Sequence, residues 1–248
     1  MRKFFVNSNC IFEDKIKIIG SDVNHIKNVL RLKNGDKIQI CNKDTSENYI
    51  CELSNIETDF IEMKIIENIK SIAEGNVELH IFQGLPKADK MELIIQKGTE
   101  LGVSKFWPVS FKRCVVKISG KDEIKKIERW NKIAEVAAKQ SQRDLIPEVS
   151  NIMTLKNICD LINNYDIVLL AYENEENNYI KNELLKLKNS KEKLKIAVII
   201  GPEGGIEKEE VQILEDSGCK VISLGKRILR TETVALQTTS IIMYELEN

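Results

Sequence analysis

The sequence predicts an α/β protein in two parts, a small and mostly β unit followed by a larger domain built on a parallel sheet. Short β-branched segments with partial alternation fill residues 1–70, whereas residues 77–248 alternate apolar runs with helical patterns. In addition, two glycine-bearing turns each follow a short apolar run near the C-terminus. Open α/β sheets bind their ligands at such strand ends, so these turns indicate where the function lies.

The N-terminal unit is predicted to span residues 1–70 and to form a compact β-barrel. Its strands are expected at Lys15–Ile19, Lys37–Cys41, Tyr49–Ile56 and Phe60–Ile66. One helix follows the first strand, capped by Ser21 or Asp22, with an apolar stripe of Val23, Ile26, Val29 and Leu30. Ser71–Asn76, which contains Ala73 and Gly75, is the expected linker to the next domain.

The second domain, residues 77–248, is predicted to alternate strands and helices around a parallel sheet. The expected strands are Val77–Phe82, Lys105–Val109, Ile167–Ala171, Ile196–Ile200 and Val221–Leu224. Continuous apolar runs such as the third and fourth are typical of strands that are buried on both faces. The first helix is expected to begin at Pro86. Four more are expected at Asp122–Ser141, Asn178–Leu187, Lys208–Asp216 and Ala235–Leu246, and Gly218 would end the helix Lys208–Asp216.

Composition argues against several classes of protein. No apolar run approaches the roughly 20 residues of a membrane span, and the N-terminus lacks the apolar core and cleavage site of a secretory signal. The six cysteines have neither C-x-x-C spacing nor histidine neighbours, so we expect no metal site. Reduced, mostly buried thiols indicate a cytoplasmic protein.

The net charge of −1 hides an uneven distribution of charge along the chain. Residues 1–70 carry 11 basic and 11 acidic side chains, residues 84–143 carry 14 and 7, and residues 144–216 carry 8 and 15. A basic block in a neutral protein is consistent with a localised anionic partner such as a phosphate backbone. Solvated helix faces would give the same pattern, so charge alone does not decide.

The first glycine-bearing turn lies in IIGPEGGIEKEE, residues Ile199–Glu210. Gly201, Gly204 and Gly205 permit close approach of the backbone, and a helix begins just after them. The turn lacks the GK[ST] of a phosphate-binding loop, and Glu203 would repel a pyrophosphate. A ligand with an uncharged or cationic part fits better, although a purely structural strand-to-helix turn would look the same.

The second turn, within LGKRILRTETVALQ at Leu224–Gln237, carries more specific features. Three cations, two threonines and a glutamate precede an apolar helix, which Thr231 or Thr233 can cap. Ile228 and Leu229 are apolar residues in a loop, where they would be exposed unless they line a pocket. The cations indicate an anionic partner.

Together the two turns resemble the C-terminal motifs of the SPOUT class of S-adenosylmethionine-dependent RNA methyltransferases. The match is most similar to the ribosomal RNA small subunit methyltransferase E (RsmE) family. Other segments agree in the same order along the chain: HIKNVLRLKNGD (25–36), LPKADKMELIIQKGTELGV (85–103), RCVVK (113–117), AAKQSQRDLIP (137–147) and AYENE (171–175).

This resemblance implies a PUA-like β-barrel followed by a SPOUT α/β domain whose end is threaded into a deep trefoil knot, a rare feature in proteins. It also implies a homodimer that methylates N3 of one uridine of 16S ribosomal RNA in the assembled small subunit. The S-adenosylmethionine would contact three loops, at Leu170, Ala171, Tyr172 and Glu173, at Gly201, Pro202, Glu203, Gly204 and Gly205, and at Leu224, Gly225, Ile228 and Leu229.

Transfer to uridine N3 requires loss of its proton, assisted by a base or by a cation that stabilises charge on the ring carbonyls. Arg230 and Arg143 are the candidates for the cation, or for gripping a phosphate, and Glu203 is a candidate base with an equally plausible structural role. Candidate RNA contacts are Arg2, Lys3, Arg31, Lys87, Lys90 and Lys97. Both histidines are expected to be structural, although RNA contact by His25 is possible.

Two alternatives stay open from the sequence. Another SPOUT specificity, such as ribose 2′-O methylation, would use the same donor loops. A non-catalytic RNA-binding assembly factor would keep the fold, but the intact glycines and the RILRTET segment argue against it.

Overall fold

The computed structural model describes residues 1–70, 73–188 and 193–247. The chain divides into two compact units, Met1–Glu74 with Ala138–Ile146, and Gly75–Ala137 with Pro147–Asn248. The sequence predicted domains at residues 1–70 and 77–248, so it assigned residues 138–146 to the second domain, whereas they group with the first unit. Within the predicted linker, Ser71 and Ile72 lie outside the described residues.

The first unit is built on a five-stranded sheet in the order β1-β3-β4-β5-β2. Its strands are β1 (Lys3–Val6), β2 (Lys15–Ile19), β3 (Lys37–Asn42), β4 (Asn48–Ile56) and β5 (Phe60–Ile69). The β1–β3 pair is parallel and the others are antiparallel. The edge strands β1 and β2 do not pair with each other over the described residues, so the expected barrel is a curled sheet around an isoleucine-rich core.

The helix of the first unit differs from its predicted form. Only α1 (Ser21–Asn24) is α-helical, and it continues as a π-helical turn over His25–Val29, where the Leu30 N–H donates to the His25 carbonyl at 2.9 Å. A π-turn takes up more residues than an α-turn. The periodicity shifts accordingly, so Val29 is 62% exposed and its predicted place in the apolar stripe was wrong.

The second unit contains a parallel sheet in the order β11-β9-β10-β6-β7-β8. These strands are β6 (Val77–Gly84), β7 (Lys105–Val109), β8 (Glu148–Val149), β9 (Ile167–Ala171), β10 (Leu194–Ile200) and β11 (Lys220–Ile222). The predicted parallel sheet is confirmed, with buried cores in β9 and β10 as the apolar runs indicated.

Six helices accompany this sheet among the described residues. They are α2 (Lys90–Glu100), α3 (Lys121–Gln140), α4 (Leu155–Leu161), α5 (Ile180–Leu187), α6 (Lys208–Asp216) and α7 (Thr231–Glu247). Pro86 lies in the loop before α2 and not in its first turn. Gly218 follows α6 with φ +111°, a backbone conformation that favours glycine, as expected of a residue that ends a helix.

The topology determines where a ligand can bind. From β6 the chain proceeds outward through β7 and β8, and β9, β10 and β11 then build the other half of the sheet. The strand order therefore reverses beside β6, and open parallel sheets have a crevice at the carboxyl end of such a reversal. No helix within the described ranges is long and apolar enough to cross a membrane.

Candidate functional site

A cavity of about 510 Å³ lies at the carboxyl edge of the parallel sheet, within the second unit. Three loops line it, and they follow β9, β10 and β11. Most of the predicted donor-binding residues meet here: Ala171, Tyr172, Glu173, Gly201, Pro202, Glu203, Gly205, Leu224, Gly225, Ile228 and Leu229. A volume of this size is typical of pockets for small molecules and cofactors.

Two predicted donor-binding residues are not among those that line the cavity. Leu170 is fully buried in the core of the sheet. Gly204 faces Arg113, because a Cβ placed on Gly204 would lie 3.1 Å from the Arg113 Cβ, and the Arg113 Nη1 donates to the Gly204 carbonyl at 3.2 Å. Gly204 therefore shapes the outer side of the loop.

The loop after β10 is compact, and its glycines are required sterically. A Cβ on Gly201 would lie 2.9 Å from Ile206 Cγ1, and Gly205 has φ +71°. The Gly205 N–H donates to the Pro202 carbonyl at 2.9 Å, which closes the turn. The Thr231 hydroxyl at the start of α7 donates to the Gly201 carbonyl at 2.6 Å and so joins the two glycine-bearing turns.

Glu203 is held at the edge of the cavity by the loop before α2 and by α2 itself. Its Oε1 accepts from the Lys87 N–H at 3.0 Å and from Lys90 Nζ at 2.8 Å. Partial burial pushes the pKa of Glu203 upward, but the bonds from Lys90, its own backbone and Lys87 outweigh burial and lower the pKa. A carboxylate that is stabilised in this way is a weak base, so its geometry favours a structural role.

Cations surround the opening of the cavity. Lys226, Arg227 and Arg230 line it, and none of the three makes an ion pair with another described residue. Between them Ile228 is 89% exposed, which is unusual for so apolar a side chain. Arg230, the first candidate for the reaction, is thus free to meet an anion at the cavity.

Comparison with known proteins identifies the family. A family model for the RNA methyltransferase domain matches residues 73–243, and one for the RNA methyltransferase PUA domain matches residues 18–66. Ribosomal RNA small subunit methyltransferase E of Bacillus subtilis (strain 168) is 38% identical over 231 residues, which are 93% of this chain and 90% of that protein. The chain belongs to the ribosomal RNA small subunit methyltransferase E family.

Solved structures related to this RsmE family member agree over nearly the whole chain. The Neisseria gonorrhoeae RsmE, bound to S-adenosyl methionine, has a TM-score of 0.83 at 26% identity and covers 98% of this chain and 97% of its own. A Legionella pneumophila methyltransferase in complex with the same cofactor has a TM-score of 0.84 at 25% identity, with 98% of both chains covered. The predicted fold, a PUA-like unit followed by a parallel α/β methyltransferase domain, is confirmed.

The cavity of this RsmE family member suits the donor that those relatives bind. Adenine and a sulfonium need apolar walls together with polar backbone groups. Leu224, Ile228 and Leu229 provide apolar surface, and their backbone N–H groups have no hydrogen-bond partner among the described residues. At Gly205 an added Cβ would lie 2.7 Å from Glu173 Oε1, which belongs to another wall of the cavity. The residues present therefore fit the group.

Two predicted functional cations are instead buried in the first unit. Arg143 is 4% exposed and binds the Glu74 carboxylate with two nitrogens, Nε at 3.1 Å and Nη2 at 2.5 Å. The Lys3 ammonium is also buried, where it pairs with Asp144 and donates to the carbonyls of Gln142 and Arg143. Both side chains hold the segment 138–146 in place, which differs from the surface roles expected of them.

The other candidate RNA contacts are at least partly accessible to solvent. Arg2, Arg31 and Lys87 are exposed, and Arg31 has a strained φ of +54° at the end of the π-helical turn. Lys97 is paired with Glu100 at 2.8 Å on the surface of α2. Lys90 lines the cavity, and its ammonium contacts the carboxylates of Glu203 and Glu232.

Sequence reasoning missed three contributors to the site. Gln83 at the end of β6 donates to the Thr231 hydroxyl at 2.8 Å, Arg113 supports the Gly204 carbonyl, and Glu232 faces Lys90. Gln83 is a polar residue that directly follows the apolar pair Ile81 and Phe82 at the end of a strand, which was a usable signal. The other two are ordinary surface residues by pattern, and only their neighbours in the fold give them a role.

Proposed function

We propose that this protein transfers a methyl group from S-adenosylmethionine to N3 of a specific uridine of 16S ribosomal RNA in the assembled small subunit. The observation that carries this proposal is the 510 Å³ cavity formed by the three predicted donor loops. The RsmE identity of the relatives, and the S-adenosyl methionine bound in two of them, support the same reaction.

The three loops would hold the donor as follows. Ala171, Tyr172 and Glu173 form one wall, the turn Gly201–Gly205 forms the second, and the loop from Leu224 to Leu229 forms the third. Glu173 lies close to Gly205 and places a carboxylate in a cavity that would receive a cationic sulfonium. When bound, the donor supplies an electrophilic methyl group.

We assign to Arg230 the stabilisation of the negative charge that develops on the uracil ring. Loss of the N3 proton to solvent would leave negative charge spread over the ring carbonyls, and N3 would then form its bond to the methyl carbon as the carbon–sulfur bond breaks and a neutral thioether leaves. An unpaired guanidinium at the cavity stabilises that charge, or grips the neighbouring phosphate. The lowered pKa of Glu203, and its bonds to Lys87 and Lys90, favour an anchoring role for that carboxylate over a role as base.

The partner surfaces follow from exposure and charge. Lys226 and Arg227 at the cavity, together with Arg2, Arg31 and Lys87, are exposed cations suited to phosphate. For the protein itself we propose a homodimer, because α7 keeps apolar surface such as Tyr244, 72% exposed, although its other side is already buried. We propose a cytoplasmic location, which a ribosomal substrate and free cysteines support.

Primer-extension mapping of small-subunit RNA tests this function. A strain that lacks the gene should lose one reverse-transcription stop at a uridine, and the wild-type gene should restore it. A stop that persists in the deletion strain would refute the uridine-N3 assignment. Resistance of the product to alkaline cleavage at that nucleotide would indicate ribose methylation instead.

A further inference from the structure

Lys90 occupies an unusual position for a lysine on the surface of a helix. It is the first residue of α2, and its ammonium lies 2.8 Å from Glu203 Oε1 and 3.4 Å from Glu232 Oε2. Glu203 belongs to the turn after β10, and Glu232 is the second residue of α7. One cation therefore links the two chain segments that carry the glycine-bearing turns.

The two carboxylates depend on this cation to different degrees. Glu203 has a second donor in the Lys87 N–H at 3.0 Å. The Glu232 Oε2 is buried and has no hydrogen-bond partner among the described residues, so the charge of Lys90 is its nearest compensation. Without Lys90, two like charges would face each other across the cavity edge, and the largely buried Glu232 carboxylate would lose its nearest cation.

We propose that Lys90 is a positioning residue that holds the walls of the donor cavity together, and that it is not a contact for RNA phosphate. The inference rests on the proposed function, since it assigns Lys90 to the donor site of that reaction. The buried bond from the Thr231 hydroxyl to the Gly201 carbonyl joins the same two segments further inside. Lys90 thus acts at the open edge of the cavity, where no other described residue bridges these two segments.

The two roles differ in what the loss of the ammonium changes. If Lys90 positions the cavity, Lys90→Met weakens S-adenosylmethionine binding at least tenfold, and the salt dependence of small-subunit binding stays as in the wild type. If Lys90 binds phosphate, donor affinity is unchanged, and the slope of log affinity against log salt falls by about 0.7 to 0.9.

Calorimetric titration with S-adenosylmethionine, and small-subunit binding over a range of salt, decide between these outcomes. Lys90→Arg should restore most of the donor affinity because it keeps a cation of similar reach. Lys186→Met is the matched control, since Lys186 is also a helical lysine with one glutamate partner at 2.8 Å but lies outside the cavity. Circular dichroism should show each variant folded at the assay temperature, which separates positioning from loss of fold.

A variant in which both carboxylates are replaced by neutral amides provides a second test. In Glu203→Gln/Glu232→Gln protein the repulsion is absent, so adding Lys90→Met should cost less than threefold in donor affinity. A full tenfold loss in that background would overturn the electrostatic account, as would wild-type donor affinity in Lys90→Met alone. Wild-type protein that fails to bind S-adenosylmethionine would instead refute the proposed function, a result distinct from either of these.

Discussion

Buried charges, rather than surface charges, explain several residues that the sequence singles out. Glu74 illustrates this in the first unit, because one carboxylate oxygen accepts from Arg143 Nε and from the backbone N–H groups of Asp144 and Leu145. A cation in a motif that resembles those of RNA-binding proteins can therefore be paired with a carboxylate in the interior of the fold. Pattern alone could not separate Arg143 and Lys3 from Arg2, since Arg2 and Lys3 are adjacent cations and Arg143 is a cation in a polar segment.

Glu74→Ala should destabilise the first unit by about 3 kcal/mol, because it removes the carboxylate that pairs with the buried Arg143 guanidinium. Urea unfolding followed by circular dichroism measures this. Glu57→Ala, an exposed glutamate of the same unit, should change the free energy of unfolding by less than about 0.5 kcal/mol. Equal effects of the two substitutions would show that the Arg143 pair contributes nothing.

Arg230→Ala should lower the rate of methyl transfer by about 100-fold, the usual scale for loss of one electrostatic stabiliser. Its effect on donor affinity should be within threefold, because the guanidinium is assigned to the substrate. Single-turnover transfer on small subunits and calorimetry with S-adenosylmethionine measure the two quantities. Equal losses in both would reassign Arg230 to donor binding.

His80 makes the stability of the second unit sensitive to acid. Burial lowers its pKa to about 4, against the opposing effect of Glu78, and Nδ1 lies 2.8 Å from the Tyr165 hydroxyl. The unfolded chain binds this proton near the ordinary value of 6.5, whereas the folded chain does not. Stability from the neutral imidazole is therefore present above about pH 6.5 and is lost as the pH falls toward 4.

The free energy of unfolding should therefore fall by about 2 kcal/mol between pH 7.5 and pH 5 on account of this histidine. Urea titrations at both pH values measure it. His80→Phe should remove that part of the pH dependence, and His25→Gln, the other histidine, should retain it. An unchanged slope in His80→Phe would contradict the prediction.

At the scale of elements, the glycine-bearing turns show what local sequence can predict. Strands β9 and β10 and helix α6 fall at or near their predicted bounds, because each is a clear periodic or continuous apolar segment. The four-residue β1 and two-residue β8 carry too few residues for a pattern. The order of strands in the sheet has no local signal at all, yet it brings together the three loops that line the cavity.

Gly205→Ala tests the turn after β10. Alanine at φ +71° should cost about 1 kcal/mol of stability, and the added Cβ would lie 2.7 Å from Glu173 Oε1 within the cavity. We expect donor affinity to fall at least tenfold. Gly120→Ala is the matched control, because φ is +61° there and the space around it is open, so it should reduce stability without changing donor binding.

At the scale of the whole molecule, the chain is two units connected more than once, because residues 138–146 return to the first unit. The first turn of helix α7 lines the cavity with Thr231 and Val234, and the same helix exposes the Tyr244 ring. The deep trefoil knot implied by the resemblance stays a prediction.

The homodimer should appear as a particle of twice the 28.4 kDa chain mass in light scattering. Tyr244→Glu should shift it toward the monomer, because a charge would be buried at the proposed contact. Leu185→Glu, an equally apolar but separate exposed position on α5, should leave the mass unchanged. A wild-type monomer at micromolar concentration would refute the dimer.

The sequence determined the class of the fold, the two glycine-bearing turns and, through its motifs in order, the family, because these depend on short-range periodicity and on residues adjacent along the chain. Tertiary structure decided which cations remain available. Arg143, Lys3 and Lys90 look alike in the sequence as charged members of motifs, but a charge acts through the groups that surround it. Two are buried in ion pairs and one bridges the walls of the cavity, and neighbours distant in sequence decide each case.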